Sequence, residues 1–397
     1  MQTNIHPSLA GKAEIQEADA ILRNCVHCGF CTATCPTYQL TGDELDGPRG
    51  RIYLIKNLLE DAEISDDATF HLDRCLTCRS CETTCPSGVD YGRLLEIGRD
   101  EIATRTERPV RHRLLTRLLR LAVPRHGLFG LAIRIGQVMR PVLPLTLRQL
   151  LFPRPAVVPA ARSEPGASVL LLQGCAQQAA TPGVVDALGH LLSQHGIQSK
   201  RLPQESCCGA VDLHSSASAA AFNRMEKLMD QVEAADCDTV VSSASGCGVT
   251  IKEYPKTLAY RSSAGRAADL AAKCVDVTEL LGNLPLRCEN LKVAVHTPCT
   301  LQHGQGIVGA IEDILTRAGA TIVPAGEAHL CCGSAGTYSV LQPDLSTQLR
   351  NRKLGHLMAG RPDVIVTANV GCQMHLGAAA DIPVMHWVEF LYHHARV

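Results

Sequence analysis

The stretch "CVHCGFCTATCP" occupies residues 25–36, and its pattern returns as "CLTCRSCETTCP" at residues 75–86. In both stretches four cysteines follow the spacing C-x2-C-x2-C-x3-C, and a proline comes directly after the fourth. Thiolates are soft ligands suited to iron–sulfur clusters, and this spacing lets a tight loop wrap three corners of a 4Fe–4S cube. The two stretches therefore predict two 4Fe–4S clusters.

The fourth cysteine of each run points to a shared arrangement. In two-cluster ferredoxins this cysteine ligates the other cluster. On that rule one cluster is held by Cys25, Cys28, Cys31 and Cys85, and the other by Cys75, Cys78, Cys81 and Cys35. Cys31 and Cys35 are four residues apart, so their Cα atoms lie at most about 14 Å apart and the clusters must be neighbours. We expect an α-helical, two-cluster ferredoxin-like domain over residues 1–100 that relays electrons. Two zinc sites are the alternative, although zinc pairs usually have a longer loop between them.

The segment between the two runs contains turn residues and then an amphipathic pattern. Gly42, Gly47, Pro48 and Gly50 predict turns, and a helix is expected to start near Arg51. Two roles remain open for Arg49 and Arg51. They either offset the negative charge of the clusters or make ordinary capping and salt-bridge contacts.

Composition limits the class of protein. The chain has 397 residues, 46% hydrophobic residues and a net charge of −1, which indicates two to four globular domains and disfavours nucleic acid as a partner. Its 19 cysteines follow a polar N-terminus without an apolar signal region, so metal ligation is favoured over exported disulfides. No apolar run reaches the roughly 18–20 residues of a transmembrane helix. We expect a cytoplasmic protein, with membrane contact at most peripheral.

The second half of the chain contains a sequence repeat, whose two copies span residues 166–290 and 291–397. In both copies the first cysteine precedes a Cys–Cys–Gly triplet by 32 residues, and a further cysteine follows the pair by 39 or 40 residues. "SVLLLQGC" and "KVAVHTPC" predict buried strands, and an amphipathic, Ala-containing stretch follows each. Alternation of strands and helices predicts two repeated α/β units with parallel sheets, whose cysteines lie at the carboxyl ends of strands.

Each repeated unit brings four thiols together, and the glycine after each cysteine pair would relieve crowding of the backbone. Metal binding in at least one unit is favoured, as a third cluster or as zinc. A redox-active thiol pair, a disulfide or inert buried thiols are the alternatives. The candidate ligands are Cys175, Cys207, Cys208 and Cys247 in the first unit, and Cys299, Cys331, Cys332 and Cys372 in the second.

Other residues near these sites carry weaker signals. Cys237, Cys274 and Cys288 have no counterpart in the other copy and are interpreted as structural. Histidine titrates near neutrality, so a proton-accepting role beside a quinone is open for the nearby histidines, although a core or surface role is more usual. These histidines are His214, His296, His303, His329 and His375.

Residues 101–165 form a basic connector. From Arg108 to Arg162 there are eleven arginines and no acidic residue. "RHRLLTRLLRLAV" predicts an amphipathic helix, which could lie on an anionic membrane, dock an acidic partner or simply face solvent. The stretch from Arg140 to Pro165 is interrupted by prolines and is predicted to be a linker.

Taken together, these motifs resemble the iron–sulfur subunits of quinone-linked dehydrogenases. The finer resemblance is to the glycolate oxidase (glycolate dehydrogenase) iron–sulfur subunits. It depends on the two cysteine runs and on "CCGAVDLH", "SASGCG", "HLCCGSAGTYS" and "IVTANVGCQMHL". The wider family often ends its units in C-x-x-C, but the first of these positions is Ala244 in one copy and Asn369 in the other, so a cluster with five thiolates is not expected.

The resemblance implies an electron-transfer subunit of a glycolate dehydrogenase complex. It implies two flavoprotein-type partner subunits, FAD on those partners, oxidation of glycolate to glyoxylate there, and quinone as the acceptor at the cytoplasmic face of the inner membrane. The sequence itself shows no nucleotide-binding glycine motif and no catalytic triad, so no catalytic residue is assigned. An equivalent lactate or glycerol-3-phosphate dehydrogenase subunit, a heterodisulfide-reductase-like enzyme and a zinc-bound scaffold are the alternatives.

Overall fold

The computed structural model describes residues 1–61, 64–144, 148, 151–164 and 166–396. The N-terminal part is helical. Its core packs four helices around buried aliphatic side chains such as Leu22, Ile55, Leu59 and Leu94. The helices are α1 (Ala13–Asn24), α2 (Phe30–Ala33), α3 (Pro36–Thr41), α4 (Pro48–Glu60), α5 (Asp66–Asp73), α6 (Ser80–Thr84) and α7 (Tyr91–Arg105).

Helix α4 begins earlier than its sequence suggests. Pro48 and Gly50 lie inside its first turn, where proline is tolerated because the first helical N–H groups need no partner. A Cβ atom on Gly50 would lie 2.2 Å from the Glu44 carbonyl oxygen. This glycine therefore serves close helix packing, and the expected turn at Pro48 and Gly50 was wrong.

The connector forms two helices, α8 (Val110–Ala122) and α9 (His126–Met139). The amphipathic helix expected here is present, but Leu114, Leu118 and Leu121 are exposed, whereas Arg120 faces the protein. Arg120 pairs with Asp212 at 2.8 Å, and Arg113 pairs with Glu107 at 3.1 Å. Helix α9 packs through Gly130 against Ala179. No helix among the described residues is both long and apolar enough to cross a bilayer.

The predicted linker is only partly described. Residues 145–147, 149, 150 and 165 lie outside the described residues, whereas residues 151–164 follow an extended path without regular structure. Phe152 and Val158 are buried on this path. The described part therefore packs against the repeated units at Phe152 and Val158.

Both repeated units are four-stranded parallel sheets with helices on their faces. The strand order is β2-β1-β3-β4 in the first and β6-β5-β7-β8 in the second, which confirms the α/β repeat. In the first unit the strands are β1 (Val169–Leu172), β2 (Ser199–Lys200), β3 (Thr239–Ser242) and β4 (Cys274–Asp276). In the second they are β5 (Lys292–His296), β6 (Thr321–Val323), β7 (Val364–Thr367) and β8 (Val384–His386).

The helices of the two units follow corresponding positions. In the first unit they are α10 (Cys175–Ala180), α11 (Gly183–Gln194), α12 (Ala210–Leu213), α13 (Ser218–Ala235), α14 (Ser245–Lys252), α15 (Tyr254–Thr257), α16 (Ala264–Lys273) and α17 (Val277–Leu281). In the second they are α18 (Cys299–Gln302), α19 (Ala310–Ala318), α20 (Tyr338–Leu341), α21 (Pro343–Met358), α22 (Val370–Gly377) and α23 (Trp387–His393).

The two units share one hydrophobic core. Leu188 of α11 and Leu171 of β1 belong to the same buried cluster as Val293 of β5 and Trp387 of α23. Polar contacts cross the same boundary, because His386 Nε2 lies 2.9 Å from the Ser243 carbonyl oxygen. The pair therefore packs as one body.

Candidate metal centres

The first set of predicted ligands lines one cavity in the helical domain, which we call cavity A. Cys25, Cys28, Cys31 and Cys85 all border it, together with Arg49. Burial, followed by the effect of the nearby thiols Cys25, Cys85 and Cys28, raises the pKa of Cys31 to about 11. Four thiols around one space are the donor set that a 4Fe–4S cluster requires, so the residues present fit the group.

The second set lines a neighbouring cavity, cavity B. Cys35, Cys75, Cys78 and Cys81 border it, together with Arg51. Cys35 comes from the first run and the other three from the second, whereas Cys85 of the second run borders cavity A. Cys81 borders both cavities, so the two candidate sites adjoin.

The backbone of the two cysteine loops repeats after 50 residues. His27 and Gly29 have φ of 55° and 84°, and the corresponding Thr77 and Arg79 have φ of 54° and 62°. Left-handed conformations are uncommon for residues other than glycine, so Arg79 must be held in place. Its guanidinium forms ion pairs on both sides, one of them with Glu253 of the first repeated unit. This loop shape lets consecutive cysteines point into the same cavity.

Cys75 has the most polar surroundings of the eight. Burial acts to raise its pKa, but the positive charges of Arg51 and Arg99 and a hydrogen bond from Tyr91 hold it below its usual value. The Tyr91 hydroxyl lies 3.5 Å from Cys75 Sγ, and Arg99 donates to the Cys75 carbonyl oxygen at 2.8 Å. Sequence reasoning missed Tyr91 and Arg99, whose positions outside both runs carry no spacing signal.

Arg51 makes the ion-pair and hydrogen-bond contacts of the second role left open for it. Its side chain is 1% exposed, contacts Asp46 at 3.4 Å and donates to the His71 carbonyl oxygen at 2.8 Å. It also borders cavity B. Arg49 is partly exposed, pairs with Glu44 at 2.6 Å and borders cavity A. Arg49 therefore lies at cavity A, whereas Arg51 and Arg79 both border cavity B.

The thiols of the first repeated unit lie together above the sheet. Cys175 Sγ is 3.4 Å from Cys207 Sγ. A Cβ atom on Gly174 would lie 3.3 Å from Cys247 Sγ, so the Cys247 thiol lies next to the loop that precedes Cys175. Hydrogen bonding with Cys207 and Cys247, together with burial, raises the pKa of Cys208. An S–S bond measures about 2.05 Å, so these thiols are close neighbours without a disulfide.

The second unit adds a histidine to its thiols. Cys332 Sγ is 3.3 Å from Cys372 Sγ, and Cys299 Sγ is 4.0 Å from Cys331 Sγ. A ring nitrogen of His296 and the sulfurs of Cys332 and Cys372 all lie within 4.8 Å of one another. His296 is 2% exposed, and its Nε2 has no hydrogen-bond partner among the described residues. A buried nitrogen without a partner beside two thiols is suited to metal ligation.

The two units differ at the positions around their thiols. His296 ends β5, and the corresponding residue at the end of β1 is Leu172. Buried Lys353 of α21 corresponds to Leu228 of α13, 125 residues earlier, and donates to the Glu327 carbonyl oxygen at 2.6 Å. The second unit therefore has two polar residues where the first unit has leucines.

The second unit also adjoins cavity B. Cys78 and Cys299 pack against the hydrophobic cluster that contains Cys331 and Tyr338. The Tyr338 hydroxyl donates to the Arg74 carbonyl oxygen at 3.1 Å, directly before the second cysteine run. Burial, followed by the charge of Cys299, raises the pKa of Cys78. Cavity A, cavity B and the second-unit thiols thus form a continuous series.

The remaining histidines named from the sequence have different environments. His303 Nδ1 lies 2.9 Å from Thr83 Oγ1, and its Nε2 lies 2.9 Å from the His329 carbonyl oxygen. His375 Nε2 lies 3.2 Å from Ser346 Oγ. His214 borders a separate, larger cavity at α8. Of the five, His296 alone joins a thiol group of the described residues.

The three unrepeated cysteines lie in packed surroundings. Cys237 and Cys274 belong to the core of the first unit, and Cys288 belongs to the core shared by the two units. All three are buried. Their positions are consistent with the structural role expected for them.

Two family models match the chain. A 4Fe–4S dicluster domain matches residues 21–89, and a cysteine-rich domain matches twice, at residues 169–252 and 293–377. The first match contains both cysteine runs. The other two fall on the repeated α/β units.

Similar proteins also align with nearly the whole length of the chain. The chain is 46% identical to the glycolate oxidase iron–sulfur subunit of Escherichia coli (strain K12), over 98% of both chains. It is 31% identical to the probable glycolate oxidase iron–sulfur subunit of Bacillus subtilis (strain 168), over 90% of this chain and 89% of that one. It is 23% identical to one subunit of the fumarate reductase (CoM/CoB) of Methanothermobacter marburgensis, over 93% of this chain and 72% of that one.

Proposed function

The chain belongs to the family of glycolate oxidase iron–sulfur subunits, and from this premise we propose that it carries electrons from a flavin-bearing partner to quinone. An electron-transfer iron–sulfur subunit is the role that the family and the dicluster domain support. The proposal adds that glycolate is oxidised to glyoxylate on FAD in two flavoprotein-type partner subunits, and that this chain does not oxidise the substrate alone.

The observation that carries the proposal is the exchange of cysteines between cavities A and B. We assign Cys25, Cys28, Cys31 and Cys85 as the ligands at cavity A, and Cys75, Cys78, Cys81 and Cys35 as those at cavity B. When bound, a 4Fe–4S cluster in each cavity supplies a one-electron carrier. Because all four thiols at each cavity are engaged in this assignment, no position is left for a substrate.

Charged and polar groups of this chain prepare the two cavities. Arg49 places a positive charge beside the thiols of cavity A, and Arg51 and Arg79 place theirs beside cavity B. Arg99 and Tyr91 add positive charge and a hydrogen bond at Cys75. These groups favour the thiolate form that metal binding requires. The electrostatic surroundings of the two cavities therefore differ, because Arg51 is buried and Arg49 is partly exposed.

The second repeated unit is the better candidate for a third metal centre. Its thiols lie beside Cys78 and have His296 among them, and the first unit has Leu172 in that place. We assign Cys299, Cys331, Cys332, Cys372 and His296 as available donors for zinc or a third cluster. Cys175, Cys207, Cys208 and Cys247 of the first unit offer four thiols but no such histidine.

The connector supplies a surface suited to an anionic membrane. Helices α8 and α9 each expose large apolar side chains, which together we call the apolar ridge: Val110, Leu114, Leu118, Leu121, Leu128, Leu131, Ile135 and Val138. The basic composition of residues 108–162, with eleven arginines and no acidic residue, complements anionic lipid. We assign peripheral binding at the cytoplasmic face of the inner membrane to this ridge.

The test compares cysteine variants of the anaerobically purified chain by EPR of the reduced protein. Cys85→Ser should disturb the same signal as Cys28→Ser, and Cys35→Ser the same signal as Cys78→Ser. Iron analysis should give about eight atoms per chain for two clusters and about twelve with a third. A Cys85→Ser spectrum that matches Cys78→Ser would contradict the exchanged assignment.

The substrate is tested on the assembled complex. The flavoprotein subunits that co-purify with this chain should reduce a soluble dye with glycolate as donor. Faster reduction with lactate or glycerol 3-phosphate would assign the chain to the corresponding alternative complex. A colourless protein with zinc and no iron would support the scaffold interpretation.

A further inference from the structure

A third cavity, cavity C, lies where the helical domain, α8 and both repeated units meet. Its volume is about 310 Å³, which is large enough for a small molecule. Ala103 and Arg117 are exposed and border it, so the cavity opens to the surface between α7 and α8. Its lining also includes Cys75, which borders cavity B as well. Cavity C is therefore an open neighbour of the candidate centre at cavity B.

The charges in this lining are mostly positive. Among the described residues, the lining contains five arginines and two carboxylates, which are Arg99, Arg108, Arg113, Arg117, Arg120, Asp73 and Glu107. Arg108 pairs with Asp73, and Arg113 pairs with Glu107. Arg120 shares Asp212, which lies outside the lining, with Arg224, at 2.8 and 2.6 Å. Two arginines, Arg99 and Arg117, have no carboxylate partner within the described part of the chain.

Arg99 is held in place with part of its guanidinium unused. Its Nη2 donates to the carbonyl oxygens of Leu72 and Cys75 at 2.7 and 2.8 Å, and its Nε donates to the Leu72 carbonyl oxygen at 3.2 Å. Its Nη1 makes no hydrogen bond to any described residue. Because the backbone bonds fix the group before a ligand arrives, little conformational entropy is lost on binding. Arg99 therefore offers a positioned, positively charged donor.

Further donors border the cavity from other elements. Arg117 of α8 forms neither an ion pair nor a side-chain hydrogen bond with the described residues. From the second repeated unit, the Thr337 hydroxyl and the Gln342 amide border the cavity, and the described residues give them no hydrogen-bond partner. Guanidinium groups bind phosphate through charge-assisted hydrogen bonds, and hydroxyl and amide groups can complete the set of donors.

We propose that cavity C binds a phosphate group, with Arg99 and Arg117 at its oxygens. A phosphate monoester carries a charge of about −1.5 to −2 at pH 7, which matches the charges of these two arginines better than a neutral ligand does. Two sources share this chemistry. One is a free phosphate, and the other is the headgroup of an anionic lipid, whose acyl chains would lie along Leu114 and Leu118, both more than half exposed on α8. The site goes beyond the electron-transfer role, so either can fail without the other.

Isothermal titration calorimetry of the full-length, cluster-loaded chain tests the site, with inorganic phosphate and dihexanoyl phosphatidate as the two probes. At least one probe should bind saturably, at one site per chain. Arg117→Gln removes a charge-assisted contact and should weaken this binding about tenfold. Arg111→Gln is the matched control, because Arg111 is exposed on the same helix and does not border the cavity. It should leave the binding unchanged.

A second pair of variants separates charge from shape at the mouth of the cavity. Ala103→Glu places a carboxylate there and should weaken binding about tenfold or more by repulsion. Ala103→Gln has nearly the same size without the charge and should bind as the wild type does. Iron content equal to that of the wild type establishes that each variant is folded.

The order of the two affinities identifies the source of the phosphate. Tighter binding of dihexanoyl phosphatidate assigns the lipid headgroup, and equal or tighter binding of inorganic phosphate assigns a free phosphate. Failure of both probes to bind saturably in the millimolar range would overturn the site. Equal weakening by Arg111→Gln and Arg117→Gln would also overturn it, in favour of non-specific attraction to the basic connector.

Discussion

The buried ion pair beside cavity B gives a prediction whose size follows from the structure. Asp46 is fully buried, and its carboxylate contacts Arg74 at 2.6 Å, His71 at 2.9 Å and Arg51 at 3.4 Å. Asp46→Asn keeps the shape of the side chain and removes its charge. The guanidinium of Arg51 then loses its carboxylate partner and stays buried beside the thiols of cavity B.

Loss of one partner of a buried ion pair costs about 3–5 kcal/mol. Arg51 keeps its hydrogen bonds to the His71 carbonyl oxygen and to Thr37 Oγ1, at 2.8 and 3.1 Å, which places the expected cost near the lower limit. A loss of about 3 kcal/mol corresponds to an opening constant about a hundredfold larger.

Hydrogen exchange of the backbone amides of α4 measures this effect in the intact, cluster-loaded chain, where a single unfolding midpoint would be ill-defined. Exchange in α4 should accelerate about a hundredfold in Asp46→Asn. Asp19→Asn is the control, since Asp19 pairs with Arg23 at the surface and should cost no more than about 1 kcal/mol. Equal exchange rates in the two variants would refute the reasoning.

Three further changes have defined outcomes. Trp387→Ala should lower the free energy of opening of the shared core by about 3–5 kcal/mol, measured by hydrogen exchange of the β5 and β7 backbone amides, because the indole is fully buried in that core; Tyr53→Ala, at a half-exposed ring, should change it little. Burial raises the pKa of Glu389 to about 7, so between pH about 4.5 and 7 the folded chain keeps a proton that the unfolded chain releases, and stability should fall by about 3 kcal/mol as pH rises through this window; a Glu389→Gln variant with the same pH dependence would contradict this. Leu118→Asp with Val138→Asp on the apolar ridge should abolish co-sedimentation with anionic vesicles, whereas Val308→Asp, an exposed valine outside the ridge, should leave it unchanged.

Local patterns predicted the elements of this fold well. "SVLLLQGC" and "KVAVHTPC" form β1 and β5, and both repeated units have parallel sheets, because strand and helix periodicity is encoded in neighbouring residues. The repeat extends further than the cysteines indicated. Asp276 and Glu279 form a capping box, and His386 and Glu389 form the same motif 110 residues later. The spacing of these two pairs was available in the sequence.

Contacts between residues far apart in the chain could not be predicted from local sequence patterns. The approach of Cys78 to Cys299 and the contact of Arg120 with Asp212 join residues far apart in the chain, which periodicity does not relate. An amphipathic helix usually turns its apolar side chains towards the protein and its charged side chains towards solvent. Helix α8 does the opposite, because Arg120 pairs with the Asp212 carboxylate and Leu118 is exposed. His296 was one of five histidines with equal sequence signals, and its place beside Cys332 follows only from the register of β5.

The hydrophobic core that crosses from one cysteine-rich unit to the other limits how this protein can be divided. A gene fragment ending near residue 290 would leave Leu188 and Leu171 without Trp387 and Val293, and would expose to water a surface that the whole chain keeps dry. Any duplication that produced the two copies must have been followed, or accompanied, by mutual docking. Recombination that replaced only one of the two units would therefore disrupt the shared core. A chimaera with a related subunit should exchange both units together.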